Sequence, residues 1–263
     1  MNAEIAQTAE HVLKSLDMWR LPVDPLAIAK EERILLAPGT YGDGFDARIE
    51  YFRAHRRFGI YYRDAARTVG RVRFSLSHEL GHFYLPHHRE RLIQGRMHNS
   101  TSEYRSRDPF ESEADEFAAN LLMPRDLFTR EVRRFRQRVC DLQDLKKLAE
   151  RLGASVTSAA IRYCECGIEP TLAVFSEDGI VQWTYSSEEM KSLGCWYLKP
   201  GTAIPEGSQT AKLLEKLDDG PTEEIVGHRI DPSLWFDWPK RRWLYEEAVQ
   251  LGSRVLTWMT VDE

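Results

Sequence analysis

Long apolar runs are missing from this chain. No stretch approaches the roughly 18 consecutive apolar residues that a membrane helix needs, and the opening MNAEIAQTAEHVLK lacks the basic end and apolar stretch of a secretory leader. Both absences point to a cytoplasmic protein with no membrane partner. Cysteine is scarce as well. Cys140, Cys164, Cys166 and Cys195 have no repeated C-x-x-C spacing, so neither a zinc knuckle nor a disulfide framework is indicated. Cys164 and Cys166 are expected to be buried thiols. Nor does one charge dominate: 36 basic and 41 acidic residues give a net charge of −5. Nothing global therefore suggests a nucleic acid or an anionic membrane as partner. Internal repeats and low-complexity segments are also absent.

What remains is an ordinary globular composition over 263 residues, 42% hydrophobic and 29% charged. That length supports one large or two modest domains, each with its own core and no need of metal or disulfide staples. A metal in such a chain would serve function rather than folding.

Apolar periodicity predicts an opening amphipathic helix over 3–17, a short second helix in PVDPLAIAKEE, and short strands at 33–36 and 58–62 with a third between them. A helix then runs from Arg71 and is closed by Pro86. The segment from His87 to Pro109 is polar and without period, and is expected to be a long loop. A second helix follows, with Ala114, Phe117, Ala118, Leu121 and Leu122 as a buried stripe ended by Pro124. Further helices fill 125–168, broken at Gly153. Beyond Ile168 the pattern becomes strand-rich: a hairpin around Glu177-Asp178-Gly179, a helix in WLYEEAVQLG, and a last strand in RVLTWMTV. Three segments are expected, 1–124, 125–168 and 169–263. The fold class is α+β, with a small sheet packed on two active-site helices, a helical extension and a C-terminal α/β domain.

Five of the eight histidines fall between 78 and 98, and the chemistry is concentrated there. In His78-Glu79-Leu80-Gly81-His82, positions i and i+4 of a helix share one face, so both imidazoles can point at one ion. Glu79 lies about 100° round. That offset keeps it from ligating but leaves it close enough to act as general base toward water. Gly81 inside a helix costs about 1 kcal/mol relative to alanine, which implies that something needs a close backbone approach.

Catalytic zinc generally takes three protein ligands, and His, His, Glu is one of the known sets. Glu111 opens the next amphipathic helix with Asp115 one turn further on the same face. Glu111 is accordingly assigned as third ligand and Asp115 as an acceptor that orients one imidazole. Glu113, about 200° from Glu111 on the helix, is the competing choice. Manganese or cobalt could replace zinc in such a nitrogen and oxygen site. His87, His88, His98, Tyr84 and Tyr104 are candidates for stabilising an oxyanion by location only, with packing or a solvated loop the plainer role for each.

The two segments RFSLSHELGH (73–82) and ESEADEFAANLLMP (111–124), in that order, resemble the ImmA/IrrE family of bacterial and phage zinc metallopeptidases. The resemblance covers roughly residues 5–165. It implies a zincin-like core and a site-specific endopeptidase that cuts a helix-turn-helix repressor and so releases stress or mobile-element genes. By residue it implies His78, His82 and Glu111 as metal ligands and Glu79 as general base.

Two readings without proteolysis stand beside it. LKKLAERLGASVTSAAIRY has helix-turn-helix spacing, and residues 125–151 hold nine basic and five acidic side chains. Its second helix offers only Arg162 as a strong reader, however, and direct nucleic-acid binding is not expected. Alternatively, the chain could sequester a partner, with the segment after 168 as a sensory part. The tryptophans there, Trp183, Trp196, Trp235, Trp238, Trp243 and Trp258, are expected to be core.

Overall fold

The computed structural model describes residues 2–41, 46–63, 68–95, 108–135, 140–217, 226–237, 239–240 and 242–262. Two compact units result, Met1–Arg130 with Glu150–Ser155, and Glu131–Ala149 with Val156–Glu263. Each contains helices and a small sheet, so the chain is α+β.

In the first unit, helix α1 (Ala3–Ser15) starts where the Asn2 side chain accepts from the Glu4 amide, and it buries Ile5, Ala9, Val12 and Leu13 on one face. Helix α2 (Pro25–Glu31) has Asp24 as its cap and proline in its first turn. Strands β1 (Leu35–Gly39), β2 (Ala47–Phe52) and β3 (Arg57–Arg63) form a sheet of order β1-β3-β2, with β1 parallel and β2 antiparallel to β3. Ile49 and Ile60 face each other in this register, and with Phe58 they share a core with Leu76, Leu80 and Phe83 of helix α3 (Val69–Tyr84).

Every residue of α3 from Ser75 to Phe83 is buried. Ser77, His78, Glu79 and His82 are therefore polar groups inside the unit, where they need partners. Helix α5 (Pro109–Leu122) supplies several of them. Its stripe Ala114, Phe117, Ala118, Leu121, Leu122 is buried, and its packing on α3 explains Gly81. A Cβ at Gly81 would stand 3.1 Å from Ala114 Cα and 3.2 Å from its carbonyl oxygen. Those are rigid backbone atoms, so a methyl must push the helices apart. We expect Gly81→Ala to destabilise the unit by about 1 kcal/mol, overpacking outweighing the gain in helix propensity. A denaturant midpoint at or above that of the parent would show that the helices yield freely.

The segment after Pro86 corrects the sequence expectation of a loop. Pro86–Ile93 is helix α4. Proline disfavours helix at the residue before it, yet its missing N–H and fixed φ suit the first turn of a new helix. One residue thus ends α3 and begins α4. Residues 96–107, the rest of the expected loop, lie outside the described residues.

Helices α6 (Arg125–Phe135), α7 (Leu142–Leu152) and α8 (Val156–Cys166) follow. Gly153, at φ +61°, makes the turn between α7 and α8. The second unit is built on a five-stranded antiparallel sheet of order β5-β4-β8-β7-β6. Its strands are β4 (Thr171–Glu177), β5 (Ile180–Ser186), β6 (Val226–Ile230), β7 (Leu244–Leu251) and β8 (Arg254–Val261), with helices α9 (Glu188–Ser192) and α10 (Gln209–Leu217) between β5 and β6.

Strand β7 overturns the helix expected in WLYEEAVQLG. Glu246, Glu247 and Ala248 are good helix formers, but here they are buried in an inner strand. The two carboxylates do specific work: Glu246 accepts from the Thr210 amide near the start of α10, and Glu247 from the Leu142 amide at the start of α7. Each takes up a backbone donor that a helix N-terminus leaves without an intrahelical partner. Local propensity cannot register such a need, so tertiary context prevails.

The four cysteines are free and buried. Burial pushes the Cys164 thiol up to about 12 and Cys195 up to about 11. Trp235 and Trp258 are core, whereas Trp196 and Trp243 are exposed, which corrects their expected burial. Trp238 lies outside the described residues. No helix among the described residues is long and apolar enough to cross a membrane.

Candidate metal centre

The centre is assembled from α3 and α5 in the first unit. One turn of α3 separates His78 from His82, and their Nε2 atoms are 3.1 Å apart. Helix α5 begins where Asp108 caps it by accepting from the Phe110 amide, with Pro109 in the first turn. That start puts Glu111 opposite the imidazoles. Its Oε2 is 3.3 Å from His78 Nε2 and its Oε1 is 3.6 Å from His82 Nε2. The three side chains are mostly or wholly buried, and together they form a group that could hold a metal ion.

Asp115, one turn beyond Glu111, accepts from His78 Nδ1 at 2.8 Å. Burial alone would hold His78 neutral. The hydrogen bonds to Asp115 and Glu111 and the charges of Glu79 and Asp115 outweigh it and raise its pKa to about 10. The pocket thus favours positive charge, which a divalent cation would supply as well as a proton. Glu79 is fully buried on α3 beside His78.

Donor separations provide a test of fit. Metal to nitrogen or oxygen bonds of about 2.0–2.1 Å in a tetrahedron imply ligand atoms about 3.3 Å apart. The two Nε2 atoms at 3.1 Å and the His78 Nε2 to Glu111 Oε2 pair at 3.3 Å are close to that value, and the other Glu111 oxygen lies 3.6 Å from His82 Nε2. The donor set suits a small divalent ion.

Glu113, the competing choice, stands elsewhere. Its Oε2 is 2.6 Å from His87 Nε2 and 2.9 Å from His88 Nε2. His88 in turn lies with its Nδ1 2.8 Å from His82 Nδ1 and its ring stacked on Phe110, centroids 3.6 Å apart. Burial pushes the His88 pKa down to about 4 against the pull of Glu113. Sequence reasoning missed this cluster because His87 and His88 were placed in a loop; Pro86 as a helix start was the signal that could have found it. Among the oxyanion candidates, the Tyr84 hydroxyl donates to Glu32 Oε1 at 2.9 Å. His98 and Tyr104 lie outside the described residues. Arg162, the one strong reader of the helix-turn-helix alternative, is 1% exposed and pairs with Glu165.

Two imidazoles and a carboxylate presented by two packed helices are the donor set of metal-dependent hydrolases. Residues 39–163 match the family model described as the IrrE N-terminal-like domain, Peptidase_M78. Both halves of the motif pair lie within the match. Among solved structures, the chain is similar to a Mycobacterium tuberculosis transcriptional regulator. That likeness has a TM-score of 0.60 at 11% identity, covers 99% of this chain and 77% of the other, and is a likeness of fold. No curated protein matches the sequence.

Proposed function

We propose that this protein is a zinc-dependent endopeptidase with a zincin-like core, in which His78, His82 and Glu111 hold the metal and Glu79 is the general base. The reading rests chiefly on the convergence of three side chains: the two Nε2 atoms lie 3.1 Å apart, and the two carboxylate oxygens of Glu111 lie 3.3 Å from His78 Nε2 and 3.6 Å from His82 Nε2. Two of these donors come from one helix and the third from another, so helix periodicity alone does not account for the convergence.

Zinc held there would supply Lewis acidity, lowering the pKa of water toward neutrality and polarising the scissile carbonyl. Glu79 takes the proton of the attacking water on its carboxylate and passes it to the leaving amine as the carbon–nitrogen bond breaks. Asp115 accepts the Nδ1 proton of His78, which leaves Nε2 with its lone pair toward the ion. The substrate in this reading is a specific cytoplasmic protein, a helix-turn-helix repressor whose cleavage derepresses its genes. Manganese is the alternative metal.

The test is incubation with the helix-turn-helix repressor encoded nearest to the gene, with and without chelator. Defined fragments that appear only without chelator are expected. Stable co-purification of the two proteins with no cutting would replace the peptidase by a sequestering regulator.

A further inference from the structure

The second imidazole of the centre meets a histidine, where the first meets a carboxylate. His78 Nδ1 donates directly to Asp115, whereas His82 Nδ1 lies 2.8 Å from His88 Nδ1. A contact between two ring nitrogens has room for one proton, so one of them donates and the other accepts. On the proposed ligand reading, on which this inference rests, His82 directs the lone pair of Nε2 at the metal and carries its proton on Nδ1. His82 is then the donor and His88 Nδ1 the acceptor. The His88 proton is left on Nε2, and 2.9 Å from it is the acceptor that this tautomer requires, Glu113 Oε2. His82, His88 and Glu113 form a chain of two hydrogen bonds with every donor matched to an acceptor.

We propose that His88 and Glu113 are positioning residues for the metal centre, an imidazole–carboxylate relay that fixes the tautomer and ring orientation of His82 as Asp115 does for His78. Neither is a ligand. His82 and His88 are completely buried, so solvent does not replace the relay. Phe110, in the same first turn as Glu111, stacks on His82 with centroids 5.0 Å apart and on His88 at 3.6 Å. The start of α5 thereby supplies Glu111, the stacking ring and the terminal carboxylate within four residues. His87, 60% exposed, adds a 2.6 Å contact to the same Glu113 oxygen and steadies it from the rim. The same three side chains, His87, His88 and Glu113, could also be read as a second metal site. Their carboxylate contacts of 2.6 and 2.9 Å are hydrogen-bond lengths, shorter than the about 3.3 Å edge of a tetrahedral ion.

The experiment titrates full-length wild type, His88→Phe, His88→Asn and Glu113→Ala with cobalt(II). It reads stoichiometry, affinity against a chelator and the visible d–d bands, which report ligand geometry without any substrate. His88→Phe keeps a ring against Phe110 and removes both nitrogens. It should weaken binding about 10- to 100-fold, as loss of an orienting partner typically does, and alter the bands. His88→Asn restores an acceptor near the Nδ1 position and should recover most of the affinity. Glu113→Ala should weaken binding severalfold, and it carries the test if His88→Phe does not fold. Unchanged affinity and bands in the folded variants would overturn the relay alone. Two cobalt ions per wild-type chain would also overturn it, by making His88 a ligand. No uptake by the wild type would overturn the ligand reading and the relay with it.

Discussion

Glu79→Gln should lose cleavage by about 10²- to 10⁴-fold while its metal content stays at the wild-type level, because general-base catalysis contributes on that scale. The substitution is close to isosteric at a position with no exposed surface, so the packing of α3 should survive. It removes the one property that the mechanism asks of this side chain, a carboxylate able to take up a proton. Glutamine neither ligates nor displaces His78 or His82, so metal measured on the purified variant should match the parent. Because the chemical step is affected rather than binding, the loss should fall on kcat with KM little changed. Undiminished cleavage by a metal-loaded variant would remove Glu79 from the mechanism.

The largest expected effect on stability lies in the second unit, at Glu246. This carboxylate is fully buried on β7 and accepts from the Thr210 amide at 2.9 Å, the Thr210 hydroxyl at 2.7 Å and Trp235 Nε1 at 3.1 Å. Glu246→Leu strands the amide and the indole donor. The hydroxyl keeps Thr257 Oγ1 as a partner at 2.6 Å. A stranded buried donor costs about 1–3 kcal/mol, so the expected loss is about 3 kcal/mol. In a unit of this size that lowers the thermal midpoint by on the order of 10 °C. A midpoint within about 2 °C of the parent would mean that the freed donors find other acceptors.

These two glutamates illustrate what a linear reading can and cannot reach. Glu79 was legible because it belongs to a local pattern: helix geometry alone relates it to His78 and His82. Asp115 and the stripe of α5 were legible for the same reason, as residues one turn apart. Glu246 was misread because its partners, Thr210 and Trp235, lie 36 and 11 residues away. Its helix-forming tendency outweighed a requirement visible only across the sheet. The histidines after Pro86 read as loop in a linear view because their segment is polar and without period, whereas Pro86 both ends one helix and starts the next.

Periodicity and spacing along the chain determined the helices α1, α3 and α5, the edges of the small sheet, and the grouping of two imidazoles and an acid on one helix. All of these depend on neighbours within one or two turns. The tertiary structure decided which of Glu111 and Glu113 stands beside His78 and His82 and where the other goes. It decided also why Gly81 is glycine and which acidic residues are buried in a strand. Those outcomes depend on how closely α3 and α5 approach and on which distant donors need an acceptor, and a local pattern carries no term for either.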